Sequence, residues 1–304
     1  MIRLTGCLLL VTVASLWAAD PTPLVPLAHI QLKELDESSG VIPSRRYPGV
    51  YWSHNDSGDT ARIFPLHRDG SSAGPKSVKE YHGLAVLGAF NQDWEDLTQD
   101  DAGNLYLGDI GNNNNARRDL AVYVLPEPNP AATLREVVLK RIPYAYPDQT
   151  EFPPPHTRMN FDAEALFWAD GQLHLITKCR GNHLAQLYRF DSLKTEEVNV
   201  LTKLDAYNVN ALVTGADATP DGNRLAVLSY LLVDHGGKKE LVGTAWIFER
   251  TKLGPSWFTG KVWKKSFLAG QCEGICWDGD DLLITNEEGD IFTLPVKDLD
   301  SVTQ

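Results

Sequence analysis

Asp93-Trp94-Glu95-Asp96-Leu97-Thr98-Gln99-Asp100-Asp101-Ala102-Gly103-Asn104-Leu105-Tyr106-Leu107-Gly108-Asp109-Ile110-Gly111-Asn112-Asn113 is the stretch that decides the fold. It reads as a hairpin. Residues 94–98 form a short strand that carries acid, and residues 101–104 a turn. Residues 105–107 form an apolar strand, and residues 108–112 a polar exit.

Units of this kind recur along the chain. The first runs from Glu37-Ser38-Ser39-Gly40 through a Pro48-Gly49 turn and an apolar strand at 50–53 to the exit His54-Asn55-Asp56-Ser57-Gly58. The third pairs residues 161–166 with 173–176 across Asp170-Gly171 and exits at Thr177-Lys178. The fourth pairs 213–218 with 225–228 across Asp221-Gly222 and exits at Ser229-Tyr230. The fifth pairs 272–276 with 282–284 across Asp278-Gly279 and exits at Thr285-Asn286-Glu287. Further strands follow each hairpin; for the second and third units the outer ones are read at 136–139 and 198–201.

Aligned on Ser39, Glu95, Glu164, Asp217 and Glu273, the units are spaced by 56, 69, 53 and 56 residues. That period, with about four strands per unit and almost no helical periodicity, predicts an all-β fold, a β-propeller of five blades. The fifth unit shows three strands before the chain stops. Residues 27–35, an alternating strand with no partner nearby, supply the fourth and close the ring. A six-bladed ring is the alternative, with an irregular blade hidden in the proline-rich segment 126–160, most of which reads as loop.

The bulk numbers set limits. A chain of 304 residues is ample for a large core, and 43% hydrophobic with 22% charged residues is ordinary for a globular protein. The net charge of −12 argues against nucleic acid and anionic lipid as partners. Residues 1–19 read as an export signal: Arg3 is the positive end, residues 7–17 are nearly all apolar, and Ala18-Ala19 are small. The apolar run is too short to span a bilayer. Residues 20–304 are then one exported propeller domain, periplasmic or secreted. Cys179, Cys272 and Cys276 are an odd set with no metal-ligand spacing and read as small buried hydrophobes.

In a propeller the innermost strands line a central axis, so two sets of residues converge. The inner set is Ser39, Glu95, Glu164, Asp217 and Glu273. The rim set is Asn55, Asp109, Lys178, Tyr230 and Asn286, with Glu287 beside it. Carboxylates crowded round one axis need protons or a cation. An oxygen-only ligand set of Glu95, Glu164, Asp217, Glu273 and Glu287 suits Ca2+ better than Zn2+; the alternative is that these acids accept hydrogen bonds from neighbouring backbones. Lys178, Arg117 and Arg118 either hold an anionic group or neutralise the acids. His54 is a candidate general base or a surface-turn residue. Trp52 and Trp94 read as blade-to-blade packing, with an aromatic lip for sugar as the alternative. No nucleophile elbow, phosphate loop or zinc-protease motif is present.

Ser39-Gly40 with Asn55-Asp56-Ser57-Gly58, Asp93-Trp94-Glu95-Asp96-Leu97, Gly108-Asp109-Ile110-Gly111-Asn112-Asn113, Asp162-Ala163-Glu164-Ala165-Leu166 with Thr177-Lys178, residues 214–222, and Cys272-Glu273-Gly274-Ile275 together resemble a group of uncharacterised exported bacterial β-propeller proteins over residues 36–294. More distantly, Cys272-Glu273-Gly274, Asp278, Leu282 and Glu287-Glu288-Gly289-Asp290-Ile291 are similar to β-propeller phytases and phytase-like esterases. That resemblance implies Glu273 and Glu287 as Ca2+ ligands facing phosphate. The chain has no run of paired aspartates followed by Pro-Ala and no dense Lys/Arg cluster. The expected function is therefore a Ca2+-occupied acidic mouth that binds a small molecule, glycan or protein. The alternative is a Ca2+-dependent hydrolase of phosphate esters or lactones, in which Lys178 or Arg117 steadies negative charge.

Overall fold

The computed structural model describes residues 21–302, apart from 236, 252 and 253, so the expected export signal lies outside the described residues. The chain forms five antiparallel sheets arranged as the five blades of a propeller. Their innermost strands are Ser38–Pro43, Trp94–Gln99, Ala163–Ala169, Leu212–Ala218 and Cys272–Asp278. Among the described residues the only helical pieces are two short 3-10 turns, and no helix is long and apolar enough to cross a membrane.

The strands form because apolar side chains fill both faces of each sheet. Trp52, Phe64, Trp94, Phe167, Phe248 and Phe292 are all buried between blades. Clusters such as Ile42, Trp52, Leu97, Leu107 and Tyr123 draw on two consecutive blades, so inter-blade packing and ring closure are one process. Cys179, Cys272 and Cys276 are buried and unpaired, as expected of small core residues.

The N-terminal strand closes the ring. Ala28–His29 pairs antiparallel with Asp290 and Ile291 of the last blade. The amides of Leu27 and Ile30 donate to the carbonyls of Ile291 and Gly289, both at 2.7 Å. Just upstream, Thr22–Pro23 runs parallel to Phe267 and Leu268 on the outer strand of the fourth blade.

The outer strands of blades 2 and 3 differ from the sequence reading. Blade 2 ends on Lys140–Ala145, inside the segment read as loop, and blade 3 ends on Thr202–Asn208. The segments expected in those places do something else. Arg135–Val137 runs parallel along Ala85–Leu87 of blade 1, and Asn199–Val200 runs parallel along Tyr144 and Ala145 of blade 2. The outer edges of blades 1 and 2 are thus each covered by a few residues of the next blade, which satisfies backbone groups that would otherwise be open to another chain.

All five innermost strands share one irregularity: one extra residue relative to their partner strand. The register shifts between Ser38 and Val41, Trp94 and Asp96, Ala163 and Ala165, Val213 and Gly215, and Cys272 and Gly274. The bulged positions are therefore Ser39–Gly40, Glu95, Glu164, Thr214 and Glu273. Asp217 sits three residues beyond its bulge and is not equivalent to the three glutamates. Its carboxylate instead accepts the Trp277 amide of blade 5 at 3.0 Å, as Thr98 Oγ1 of blade 2 accepts the Trp168 amide of blade 3 at 3.1 Å.

Below the bulges the axis is closed. Ser39 Oγ donates to the Glu95 carbonyl at 2.6 Å, and Thr214 Oγ1 to the Cys272 carbonyl at 2.9 Å. A Cβ at Gly215 would lie 2.6 Å from the Glu273 carbonyl oxygen, so only glycine admits this approach. Asp96 reaches across: its carboxylate accepts the amides of Leu97 and Leu166 at 2.8 Å and faces that of Ala216 at 3.5 Å, joining blades 2, 3 and 4. Asp96→Ala is expected to cost about 3 kcal/mol by leaving buried amides unsatisfied. An unchanged urea midpoint in this variant would show that the axis does not need this bridge.

Candidate functional site

Above the closed axis the bulges open into an acidic mouth. A bulge interrupts the alternation of side chains and re-aims the extra one, and Glu95, Glu164 and Glu273 all act on one ammonium, that of Lys178. Lys178 is buried and its Nζ lies 2.8 Å from Glu164 Oε2. Burial works against its charge, but the carboxylates of Glu164, Glu273 and Glu95 outweigh that, and its pKa is held well above the usual lysine value. Nζ is also 5.2 Å from the centre of the Tyr230 ring. Lys178 and Tyr230 lie one residue past the rim positions, which are Thr177 and Ser229 in their blades; they still meet at the mouth.

Two acids missing from the sequence-based ligand set complete the cluster. Asp56 follows rim residue Asn55, and Asp93 precedes Trp94. One carboxylate oxygen from each of Asp56, Asp93 and Glu95 lies within 4.8 Å of the others. Gly111 makes room for them, since a Cβ there would fall 2.1 Å from Glu95 Oε1 and 2.5 Å from the Asp93 carboxylate. Glu95 is only 4% exposed, and its carboxylate has no hydrogen-bond partner among the described residues. Burial, then the charges of Glu164, Asp56 and Asp162, hold its pKa well above the normal range. Burial, then Asp56 and Asp162, push Asp93 up to about 6. Burial, then Glu273 and Asp56, push Glu287 up to about 7.

Asp162, whose side chain is fully buried, binds Arg180 Nε at 3.2 Å, and Arg180 Nη2 also bonds Asn113 Oδ1. Gln271 Nε2 bridges Glu273 at 2.9 Å and Glu287 at 2.5 Å, so those two acids are tied to an amide. In all, the carboxyls of Asp56, Asp93, Glu95, Asp162, Glu164, Glu273 and Glu287 are opposed by Lys178 and Arg180. Even with Arg117 beside Asp93, the mouth holds more acids than cations, and the crowding keeps several of them at raised pKa values.

Other rim and candidate residues brace loops. Asn55 Nδ2 donates to the Glu34 carbonyl at 2.6 Å and Asp59 Oδ2 at 2.7 Å. Asn286 Nδ2 donates to the Ala269 carbonyl, and its Oδ1 accepts the Asp290 amide. Asp109 accepts the Asp93 amide and pairs with Arg117 at 3.0 Å, while Arg117 also holds Asp119 and the Gly111 carbonyl. Arg118 stacks on Phe152. His54 is not a surface-turn residue: it is fully buried, edge-on to Trp94 at 5.7 Å, with Nδ1 2.9 Å from the Asn55 carbonyl, and burial lowers its pKa. Trp52 and Trp94 are buried, so neither forms a lip. On one side of the mouth, beyond Tyr230, strands Arg224–His235 and Lys238–Glu249 continue as a ribbon.

No protein-family model matches the chain, and no curated protein matches it. Among solved structures, a GH43 β-1,3-galactosidase with galactodeoxynojirimycin is 10% identical over 90% of this chain and 94% of its own, with a TM-score of 0.47. A candidate glycosidase from Bacteroides thetaiotaomicron is 9% identical over 90% and 92%, with a TM-score of 0.44. Likenesses of this strength assign no activity to this chain, and the phytase resemblance of the last repeat gains no support from them.

The Lys178–Glu164 pair can be tested directly. Lys178→Met leaves a buried carboxylate alone and is expected to cost about 3–5 kcal/mol. Adding Glu164→Gln should recover part of that loss, and purely additive unfolding free energies would show that the two groups are not coupled.

Proposed function

We propose that the mouth is a Ca2+ site through which the propeller binds its ligand, with Asp56, Asp93 and Glu95 as the protein ligands. The observation that carries this reading is Glu95: a nearly buried carboxylate with no hydrogen-bond donor among the described residues, whose oxygen lies within 4.8 Å of oxygens from two more acids. Ligand oxygens on opposite sides of Ca2+ are about 4.8 Å apart, twice the usual Ca–O distance, so the cluster has the span of a Ca2+ coordination shell. The cluster holds no histidine or cysteine, which favours a hard cation, and its irregular shape suits Ca2+ better than the strict octahedron of Mg2+. An ion held from one side by three carboxylates keeps positions for ligand oxygens. Glu164 and Glu273, engaged by Lys178 and Gln271, shape the surrounding field instead of binding the ion. Such a module belongs outside the cytoplasm, in keeping with the export signal read from residues 1–19, and needs only the roughly 0.1–1 mM affinity of extracellular Ca2+ modules.

A second reading, a Ca2+-dependent hydrolase of phosphate esters or lactones, draws on Glu287, which lies outside the ion's ligand set. Burial and the neighbouring acids push its carboxyl up to about 7, so it can exchange a proton near neutrality. Turnover of an ester or lactone panel that requires Ca2+ and is lost in Glu287→Gln would select it.

Calorimetry on chelator-treated protein should show Ca2+ binding that Glu95→Gln weakens by about tenfold or more, the loss of one charged ligand. No heat with the unaltered protein would end the proposal. The pH dependence follows from the same groups. Their folded pKa values lie above the ordinary 3.8 of Asp and 4.5 of Glu, so the folded state holds more protons between those values and about 7. Stability of the chelator-treated protein is therefore greatest at acid pH and falls as pH rises from about 4 to 7. Added Ca2+ should remove most of that fall; a melting temperature that rises over this range in chelator would contradict it.

A further inference from the structure

Beside the mouth lies a pocket of about 250 Å3 that no part of the Ca2+ reading uses. Its wall is the turn between blades 2 and 3, residues 148–161, and its base comes from blade 3. The two sites share a partition: Asn160 and Phe161 line the pocket while Asp162 faces the mouth, and Asn182 lines the pocket while Arg180 faces the mouth. The Gly181 amide donates to Asn160 Oδ1 at 3.2 Å and locks the partition together.

The pocket's electrostatics are unlike those next door. Lys203 Nζ donates to Asp148 at 2.9 Å and to Gln186 Oε1 at 2.6 Å, and the single proton of the buried Tyr188 hydroxyl is shared between Asp148 at 3.1 Å and Gln186 at 3.0 Å. Arg158 pairs with Glu151 at 2.7 Å. Every charge in the lining thus has its opposite within reach, which leaves no unspent charge for an anion or an organic cation. What remains is a set of fixed donors and acceptors around one aromatic side chain. Phe161 packs against Tyr146 at 5.4 Å, and Asn160, Asn182, Gln186 and Thr150 line the same pocket. An apolar ligand would strip water from these groups without replacing its hydrogen bonds. The volume is below the roughly 300 Å3 at which pockets for drug-sized ligands begin, so it admits one small ring.

We infer that this pocket is a subsite for a neutral polyhydroxylated unit, a single sugar ring, lying against Phe161 and hydrogen-bonded to the polar lining. The turns at 160–162 and 180–182 are thus a wall common to the pocket and the mouth. The ligand class is a neutral saccharide. The inference goes beyond the cation reading and does not depend on it.

Saturation-transfer NMR on the full chain, with neutral methyl glycosides and disaccharides as probes and with inorganic phosphate and spermidine as charged controls, tests this in Ca2+ and in chelator. At least one neutral glycoside should bind in both conditions. The exposed substitutions Arg158→Ala and Asn182→Ala should each weaken it by about tenfold, the value of one or two hydrogen bonds, with unchanged thermal melting. Glu95→Gln should leave this binding in place while it weakens Ca2+ binding by about tenfold or more, so failure of one reading is visible apart from failure of the other. If no glycoside of the set binds, if both substitutions leave affinity unchanged, or if phosphate or spermidine displaces the glycoside, the inference is wrong.

Discussion

One extra residue in each innermost strand is the constraint on which the molecule turns. A strand in regular pleat sends alternate side chains into the two inter-blade cores and none toward the axis. The bulge breaks that alternation at one level in all five blades. Below that level the strands approach until only small residues and shared hydrogen bonds fit. Above it the re-aimed side chains of Glu95, Glu164 and Glu273 meet round Lys178. Closure and mouth are consequences of the same local irregularity.

The five bulges are not filled alike, and the difference gives the mouth a direction. Blades 1 and 4 carry Ser39 and Thr214, whose hydroxyls are consumed by neighbouring backbone. Blades 2, 3 and 5 carry glutamates. Glu164 has its lysine and Glu273 its glutamine. Glu95 has neither, and it sits instead among Asp56 and Asp93, two more acids from loops. Negative charge that could have been spread evenly round the axis is concentrated on the side of blades 1 and 2. Desolvation makes that concentration costly in the ionised form, which is why protons or a cation bear on it so strongly.

Architecture was legible in the sequence because a repeated hairpin with Asp-Gly-type turns needs no knowledge of distant contacts. The ring-closing strand was legible too, as an orphan beside an incomplete last unit. Register was less so. Matching acid to acid placed Asp217 with the glutamates, whereas Ser39-Gly40, Thr214-Gly215 and Glu273-Gly274 share a small residue after the bulge, a signal of close approach at the axis that gives the right alignment. The outer strands of blades 2 and 3 were misplaced because residues 136–139 and 198–201 have strand character, and periodicity does not say which sheet a strand joins. Asp56 and Asp93 lie in turns, where no period marks them. His54, in an apparently polar exit, is enclosed by Trp94 of the next blade, a contact that only the assembled ring creates.

The short parallel segments that lap blade 2 onto blade 1 and blade 3 onto blade 2 mean that the repeat seen in the chain and the module seen in space have different borders. Cutting out one unit at the boundaries of its sequence period would take away part of its neighbour's rim and leave that neighbour frayed. A lineage built by copying whole units would have had to acquire these overlaps afterwards, and once it had them the number of blades was no longer free to drift.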